Sequence, residues 1–230
     1  DTVTRPRRRG IYLLPNLFTT GTLFAGFYGI IASIDGNFAP AAIAVFVAGL
    51  LDGMDGRLAR LTHTESEFGK QYDSLADMVA FGIAPAVIVY QWGLKALGEY
   101  GWAWGKLGWL AAFLYAVAAA LRLARFNVSS KTADRRFFEG LPSPSAAGLV
   151  SSMVWVAVGA GVDGLPALAV AMALTVLAGA LMVSRFAYWS FKGVSPRGRI
   201  SFAYVLIIPL IFVLIAIDPP RVCFLLACTY

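Results

Sequence analysis

The stretch DGMDGRLARLTHTESEFGKQYDSLAD, residues 52–77, carries four aspartates at helical spacing inside a chain that is otherwise strongly apolar. Ionised carboxylates next to hydrocarbon are costly, so they are rare in membrane helices and usually serve a function. Four such groups that face one another indicate a site for a divalent metal. The rest of the chain decides whether this stretch lies in a membrane.

The composition predicts a membrane protein. Of 230 residues, 59% are hydrophobic and only 14% are charged, whereas soluble domains carry about 25% charged residues. The apolar runs are continuous rather than alternating, which favours membrane helices over a β-barrel. The net charge of +6 does not indicate nucleic-acid binding, because the cations lie in the connections between apolar runs.

Eight apolar runs predict an all-α polytopic fold. They cover 16–34, 38–61, 70–92, 108–128, 143–161, 165–187, 200–217 and 220–230. We expect a basic arm with a short interfacial helix at 1–15, a six-helix transmembrane core at 16–190, and about two further transmembrane helices at 191–230. The last run is shorter than the about 20 residues that cross a bilayer. The glycine-rich segment 101–105 is interpreted as a loop on the outer surface.

Charge in the connections predicts the orientation. One side of the membrane receives 16 of the 19 lysines and arginines, and the other receives only Lys95, Lys106 and Arg221. The positive-inside rule then places the amino terminus and the aspartate stretch at the cytoplasmic face. We therefore expect an integral protein of the cell (inner) membrane, with its site open to the cytoplasm.

Helical geometry sorts the stretch into two faces. At about 100° per residue, one arc of the second helix carries Asp52, Asp55, Gly56, Ala59 and Arg60. Asp73 and Asp77 lie one turn apart on the third helix and share a face. If the two faces meet, the carboxylates repel one another unless a cation lies between them. Ligation by oxygen alone suits Mg²⁺ or Mn²⁺ rather than zinc.

The smaller residues of the stretch have two interpretations each. Gly56 and Ala59 leave room for a flat or phosphorylated ligand, or they let two helices approach closely. Arg60 pairs with a phosphate in two hydrogen bonds, or it is a cytoplasmic anchor whose head group reaches water. Gly69 ends the loop or permits a close approach.

The pattern Asp52-x2-Asp55-Gly56-x2-Ala59-Arg60-x8-Gly69-x3-Asp73-x3-Asp77 resembles the signature of the CDP-alcohol phosphotransferases, whose core has six transmembrane helices. The resemblance implies transfer of a substituted phosphate from a CDP-linked donor to an alcohol, with release of CMP. It implies metal binding by Asp52, Asp55, Asp73 and Asp77, and makes Asp77 the general base. The implied contacts to CDP are Asp52, Gly56, Ala59, Arg60 and Gly69.

Three further segments, RLARFNV (122–128), FFEGLPSPSAAG (137–148) and SRFAYWSFK (184–192), resemble the serine-using bacterial and archaeal branch of this family. That resemblance implies CDP-diacylglycerol as donor, L-serine as acceptor and phosphatidylserine as product. A homodimer among membrane lipids also fits the family. Glycerol 3-phosphate or an inositol phosphate is the alternative acceptor. A cation or proton transporter is the distant alternative, but its acids would lie near mid-bilayer.

The same segments predict a polar pocket on the cytoplasmic side. It contains Arg122, Arg125, Asn127, Ser143 and Lys192. The cations suit the carboxylate of serine or a lipid phosphate, and the equal alternative is ordinary positive-inside charge. Ser143, between two prolines, is expected to cap the fifth helix. Near the first helix, Asn16 and Thr19 either contact the CDP group or cap that helix.

Overall fold

A computed structural model describes residues 13–62, 66–129, 137–184, 187–189 and 213–229 of the chain. The helices are α1 (Leu13–Ile34), α2 (Phe38–Thr62), α3 (Glu67–Asp77), α4 (Ala84–Trp92), α5 (Trp102–Ser129), α6 (Ser143–Ala160), α7 (Leu165–Val183), α8 (213–217) and α9 (Pro219–Thr229). A π-helical turn, Met78–Ile83, joins α3 to α4, and a 3₁₀ helix, Leu94–Tyr100, follows α4.

Six helical segments within these residues are long and apolar enough to cross a membrane. They are Asn16–Ile34, Phe38–Leu58, Glu67–Tyr100, Trp102–Val128, Ser143–Ala160 and Leu165–Val183. The prediction of an all-α polytopic membrane fold with a six-helix core is confirmed. Of the predicted arm at 1–15, residues 1–12 lie outside the described residues, as does the chain from 190 to 212, and residues 13–15 belong to α1. The two further transmembrane helices expected at 191–230 therefore stay a prediction, since only the helical segments 213–217 and Pro219–Thr229 are described there.

The start of α3 was predicted three residues too late. Ser66 has extended backbone geometry and its hydroxyl accepts a hydrogen bond from the Gly69 N–H at 3.0 Å. A serine N-cap satisfies an otherwise unpaired amide, and Glu67 in the first turn suits the positive end of the helix. The helix therefore begins at Glu67, before the apolar run that the prediction followed.

The predicted outer loop at 101–105 is wrong beyond its first residue. Gly101 has a φ of 132°, where only glycine is unstrained, and α5 begins directly after it. A side chain at Gly108 would collide with the Leu94 backbone. The glycines of this region therefore let α5 pack against the 3₁₀ helix, rather than marking a loop.

Small residues bring the helices of the core into close contact. A Cβ atom at Gly26 would lie 2.7 Å from the Ala80 Cα, so α1 packs directly on the π-helical turn. Ala41, Ala48 and Ala76 are fully buried. Without a hydrophobic drive between helices in lipid, such close packing holds them together. It places the first half of α1, the second half of α2 and the whole of α3 side by side.

A short antiparallel pairing connects the segments that flank α6 and α7. Strand β1 (Phe137–Glu139) pairs with β2 (Ala187–Trp189), with Phe138 opposite Tyr188. The predicted span 165–187 therefore ends earlier, at Val183, because the chain leaves the helix and enters this pairing.

Candidate active site

Three carboxylates from two helices meet at one end of the bundle. Asp52 and Asp55 lie in the last three turns of α2, and Asp73 lies in α3. One carboxylate oxygen from each of the three lies within 4.8 Å of the other two. The predicted meeting of the two acidic faces is therefore present in the fold.

Thr19 of α1 supports the buried member of this cluster. Its hydroxyl donates a hydrogen bond to Asp55 Oδ2 at 2.9 Å, and both side chains are buried. The prediction placed Thr19 against CDP or at a helix cap. In the structure the hydroxyl proton of Thr19 is bound by a carboxylate, which fixes the orientation of Asp55, and a contact between Thr19 and CDP stays a prediction. A threonine one helix away from the motif gave no spacing signal that pointed to this partner.

Asp77 lies one turn beyond Asp73 in α3, as expected. Its Oδ1 atom is buried and has no hydrogen-bond partner among the described residues. Buried carboxylate oxygens normally have partners, so an orphaned one in an acidic cluster indicates a missing proton donor or cation. The surroundings of Asp77 Oδ1 are therefore suited to a bound cation or to a substrate that donates a proton.

The donor set fits a hard divalent cation. Carboxylate oxygens converge here, and Mg²⁺ and Mn²⁺ prefer oxygen ligands. Three negative groups this close repel one another, and a cation relieves that repulsion. Asp52, Asp55 and Asp73 are the residues that could hold the ion, with Asp77 beside them.

The two glycines of the motif differ in their surroundings. A Cβ atom at Gly56 would meet nothing within 4 Å in the part of the chain that is described, so this glycine is not required for helix packing there. At Gly69, a Cβ would lie 3.1 Å from Ser66 Oγ and 3.6 Å from Asn16 Oδ1. Gly56 leaves open space, whereas a side chain at Gly69 would crowd the N-cap hydroxyl of Ser66 and would only touch Asn16.

Asn16 and its neighbours connect α1 to α3. The Thr20 hydroxyl donates to the Asn16 carbonyl at 2.7 Å and also lies 2.9 Å from the Tyr72 hydroxyl. Tyr72 in turn stacks on Phe68, with ring centroids 6.0 Å apart. Sequence reasoning missed Tyr72. It directly precedes Asp73, but its role depends on the contact between helices.

The residues predicted to bind the acceptor contact different parts of the fold. Arg122 Nη1 donates to Ser143 Oγ at 2.9 Å. Asn127 Nδ2 donates to Ser74 Oγ at 3.0 Å, and Ser74 lies between Asp73 and Asp77 in the chain. Asn127 is therefore next to the helix that carries two of the acids. The expected cap by Ser143 is wrong, because Pro142 is the N-cap of α6 and the Ser143 side chain makes no capping bond.

Arg125 lies against a helix end. Its guanidinium donates to the carbonyls of Val183 and Ser184, both at 3.4 Å. A cation near the last carbonyls of a helix is stabilising, because the helix dipole is negative there. Lys192 lies outside the described residues. Ala59 and Arg60 belong to α2 by their backbone, but their side chains lie outside the described part.

Comparison with known proteins gives consistent matches. A sequence model for the family described as CDP-alcohol phosphatidyltransferase matches residues 12–184. A CDP-diacylglycerol–serine O-phosphatidyltransferase of Helicobacter pylori is 37% identical over 208 residues, covering 88% of this chain and 83% of that protein.

Two relatives from other organisms match shorter parts. A protein of the same name from Mycobacterium leprae is 38% identical over 152 residues, which are 63% of this chain and 48% of that protein. An archaetidylserine synthase of Methanothermobacter thermautotrophicus is 37% identical over 141 residues, with coverages of 60% and 56%.

Proposed function

The chain belongs to the CDP-alcohol phosphatidyltransferase family, and from that premise we propose that it transfers the phosphatidyl group of CDP-diacylglycerol to L-serine, with phosphatidylserine and CMP as products. The observation that carries the proposal is the meeting of Asp52, Asp55 and Asp73 oxygens within 4.8 Å. The names of the relatives support serine as the acceptor.

In this proposal Asp52, Asp55 and Asp73 hold Mg²⁺ or Mn²⁺. The ion would neutralise charge on the pyrophosphate of the donor, which is the main requirement of phosphoryl-type transfer. The role of the protein is to hold the carboxylates together, and the hydrogen bond from Thr19 to Asp55 supports that arrangement.

Asp77 is the general base. It accepts the proton of the serine hydroxyl while the serine oxygen forms a bond to the phosphorus of the phosphatidyl group. The bond from that phosphorus to the bridging oxygen of CMP breaks, and CMP leaves with the bonding electron pair. The Asp77 Oδ1 atom, which is buried and has no partner in the described chain, supports this role.

The remaining residues of the motif would bind the CDP group. Open space beside Gly56 supports a ligand there, and Asn16, Ala59, Arg60 and Gly69 are the other proposed contacts. Thr19 donates to Asp55, so we assign it the positioning of that carboxylate, and its contact with CDP stays a prediction.

The acceptor would bind between α3, α5 and α6. Asn127 beside Ser74 and Arg122 beside Ser143 support a polar pocket at this place. In the proposal a guanidinium pairs with the carboxylate of serine. Arg125 and Lys192 stay proposed members, although Arg125 also has partners at the end of α7.

The membrane setting extends the proposal. Six helical segments of the described chain are able to span a membrane, and the excess of cations on one side supports a site that faces the cytoplasm of the inner membrane. A homodimer, and the division of the chain at 15 and 190, also stay predictions.

An acceptor competition tests the proposed function. Purified protein with CDP-diacylglycerol and Mn²⁺ is given L-serine, glycerol 3-phosphate or inositol 1-phosphate, and CMP release is measured. Of the three acceptors, we expect only L-serine to cause release of CMP. Phosphatidylserine should form in the same amount as CMP. Release with a phosphorylated alcohol but not with serine would keep the chemistry and reject the acceptor.

A further inference from the structure

The helix that carries Asp73 and Asp77 is interrupted directly after Asp77. Pro85 lies four residues beyond Phe81, where an α-helix would need an N–H group to pair with the Phe81 carbonyl. Proline has no N–H, and its ring crowds the carbonyl four residues earlier. The chain responds with the π-helical turn Met78–Ile83, a form that is rare and often found at functional sites.

Tyr115 of α5 supplies a donor to that carbonyl. Its hydroxyl donates to the Phe81 oxygen at 3.0 Å in a buried contact, and Tyr115 is among the fully buried side chains. Lipid offers no water to replace such a donor, so an unpaired carbonyl at this depth is costly. Tyr115 therefore stabilises the form of the helix that Pro85 imposes.

The π-helical turn is fixed from two sides. Ala80 lies against Gly26 of α1, where a Cβ would come within 2.7 Å of the Ala80 Cα. Gly82 lies against Ala119 of α5, since a Cβ atom at Gly82 would be only 3.2 Å from the Ala119 Cβ. Because α1 and α5 both contact the turn, its shape is set by the bundle rather than by local sequence alone.

The turn sets the direction of the acidic face. A π-helical turn accommodates about one residue more than an α-helical turn, and one residue corresponds to about 100° of rotation. The following helix, α4, is held by contacts with α1, α5 and α6. With α4 fixed, the presence of the extra residue decides whether Asp73 and Asp77 point toward Asp52 and Asp55 or away from them.

We propose that Tyr115 is a positioning residue, which holds the π-helical turn open and so directs Asp73 and Asp77 toward the carboxylates of α2. The inference rests on the proposed function only in assigning these aspartates to a metal site. The hydroxyl of Tyr115 acts on that site through the Phe81 carbonyl and the backbone of the turn.

The first test removes the hydroxyl alone. In Tyr115→Phe we expect the dissociation constant of Mn²⁺, measured by electron paramagnetic resonance without any lipid substrate, to rise about tenfold, as for other groups that orient metal ligands. The matched control is Tyr28→Phe, which removes the same atom from an exposed tyrosine of α1. Mn²⁺ affinity equal to wild type in Tyr115→Phe would overturn the inference.

A second variant separates positioning from stability. Pro85→Ala returns an N–H to the chain four residues after Phe81, so the carbonyl no longer needs Tyr115. In Tyr115→Phe/Pro85→Ala we expect the thermal midpoint to recover to the wild-type value, while Mn²⁺ affinity stays about tenfold weaker because the extra residue is no longer accommodated. Recovery of both quantities would show that Tyr115 only stabilises the fold and would overturn the inference.

The double variant also tests the positioning role of Tyr115 if Tyr115→Phe alone does not fold. In the double variant the backbone N–H at position 85 pairs with the Phe81 carbonyl, so the fold does not depend on the tyrosine hydroxyl. Neither measurement uses serine or CDP-diacylglycerol. A wild-type protein that binds Mn²⁺ but makes no phosphatidylserine would therefore reject the proposed function and leave this inference standing.

Discussion

The Thr19 hydroxyl donates a hydrogen bond to Asp55 Oδ2 at 2.9 Å, across the contact between the first two helices. Asp55 is the most buried of the three carboxylates that converge. A carboxylate that binds a metal is normally oriented by an outer hydrogen bond of this kind. The first helix, which lies outside the acidic motif, thus contributes to the site.

Replacement of Thr19 by valine tests this contribution. Thr19→Val keeps the shape of the side chain and removes the donor, so we expect Mn²⁺ to bind about tenfold more weakly. Thr19→Ser keeps the hydroxyl and serves as the matched control. Calorimetric titration of the purified protein gives both affinities, and equal affinity in the valine variant would argue against an orienting role.

Asp77→Asn separates chemistry from binding. The amide cannot accept the serine proton, so we expect kcat to fall by roughly 100- to 10,000-fold, the usual contribution of a general base. Binding of CDP-diacylglycerol, measured by calorimetry, should change little. Near-normal turnover in this variant would exclude Asp77 as the base.

Asp73→Asn removes a proposed metal ligand. Mutations of residues that only orient metal ligands lower metal affinity by up to about 100-fold. We expect the loss of Mn²⁺ affinity in Asp73→Asn to be larger than that. Asp163→Asn is the control, because it makes the same change at an exposed position at the far end of the bundle. A small, equal change in the two variants would refute the assignment of Asp73 as a ligand.

We expect the two arginines of α5 to have different roles, Arg122 in binding serine and Arg125 in stabilising the fold. Arg122→Gln removes a charge beside Ser143, and we expect the KM for serine to rise about tenfold, because a charged hydrogen bond contributes about 1.5 kcal/mol or more.

Arg125→Gln removes a cation from the end of α7. We expect the thermal midpoint to fall by about 2 °C, with a smaller change in the KM for serine. Initial rates against serine concentration, together with thermal unfolding in detergent, measure both effects. A larger rise of the KM for serine in Arg125→Gln than in Arg122→Gln would assign the acceptor pocket to Arg125.

The sequence was sufficient for the six spans and for the acidic cluster. Long apolar runs determine where helices cross a membrane, and spacing along two helices places Asp52 with Asp55 and Asp73 with Asp77. Both predictions depend only on helix geometry and on the cost of charge in lipid, which is why they succeed without knowledge of the packing.

The remaining features depend on contacts between helices. The partner of Thr19 and the proximity of Asn127 to Ser74 follow from which helix faces meet, and no spacing in the sequence specifies that. The π-helical turn had a local signal, since Pro85 lies inside an apolar run. Its stabilisation by Tyr115 needs a residue 34 positions from Phe81 in the chain.

The most direct test of the account is the amount of CMP and phosphatidylserine formed from CDP-diacylglycerol and L-serine before and after removal of divalent metal. We expect equal amounts of the two products with Mg²⁺ or Mn²⁺, none after chelation, and full recovery when the metal is returned. An undiminished rate in the chelated protein would contradict the metal site formed by Asp52, Asp55 and Asp73.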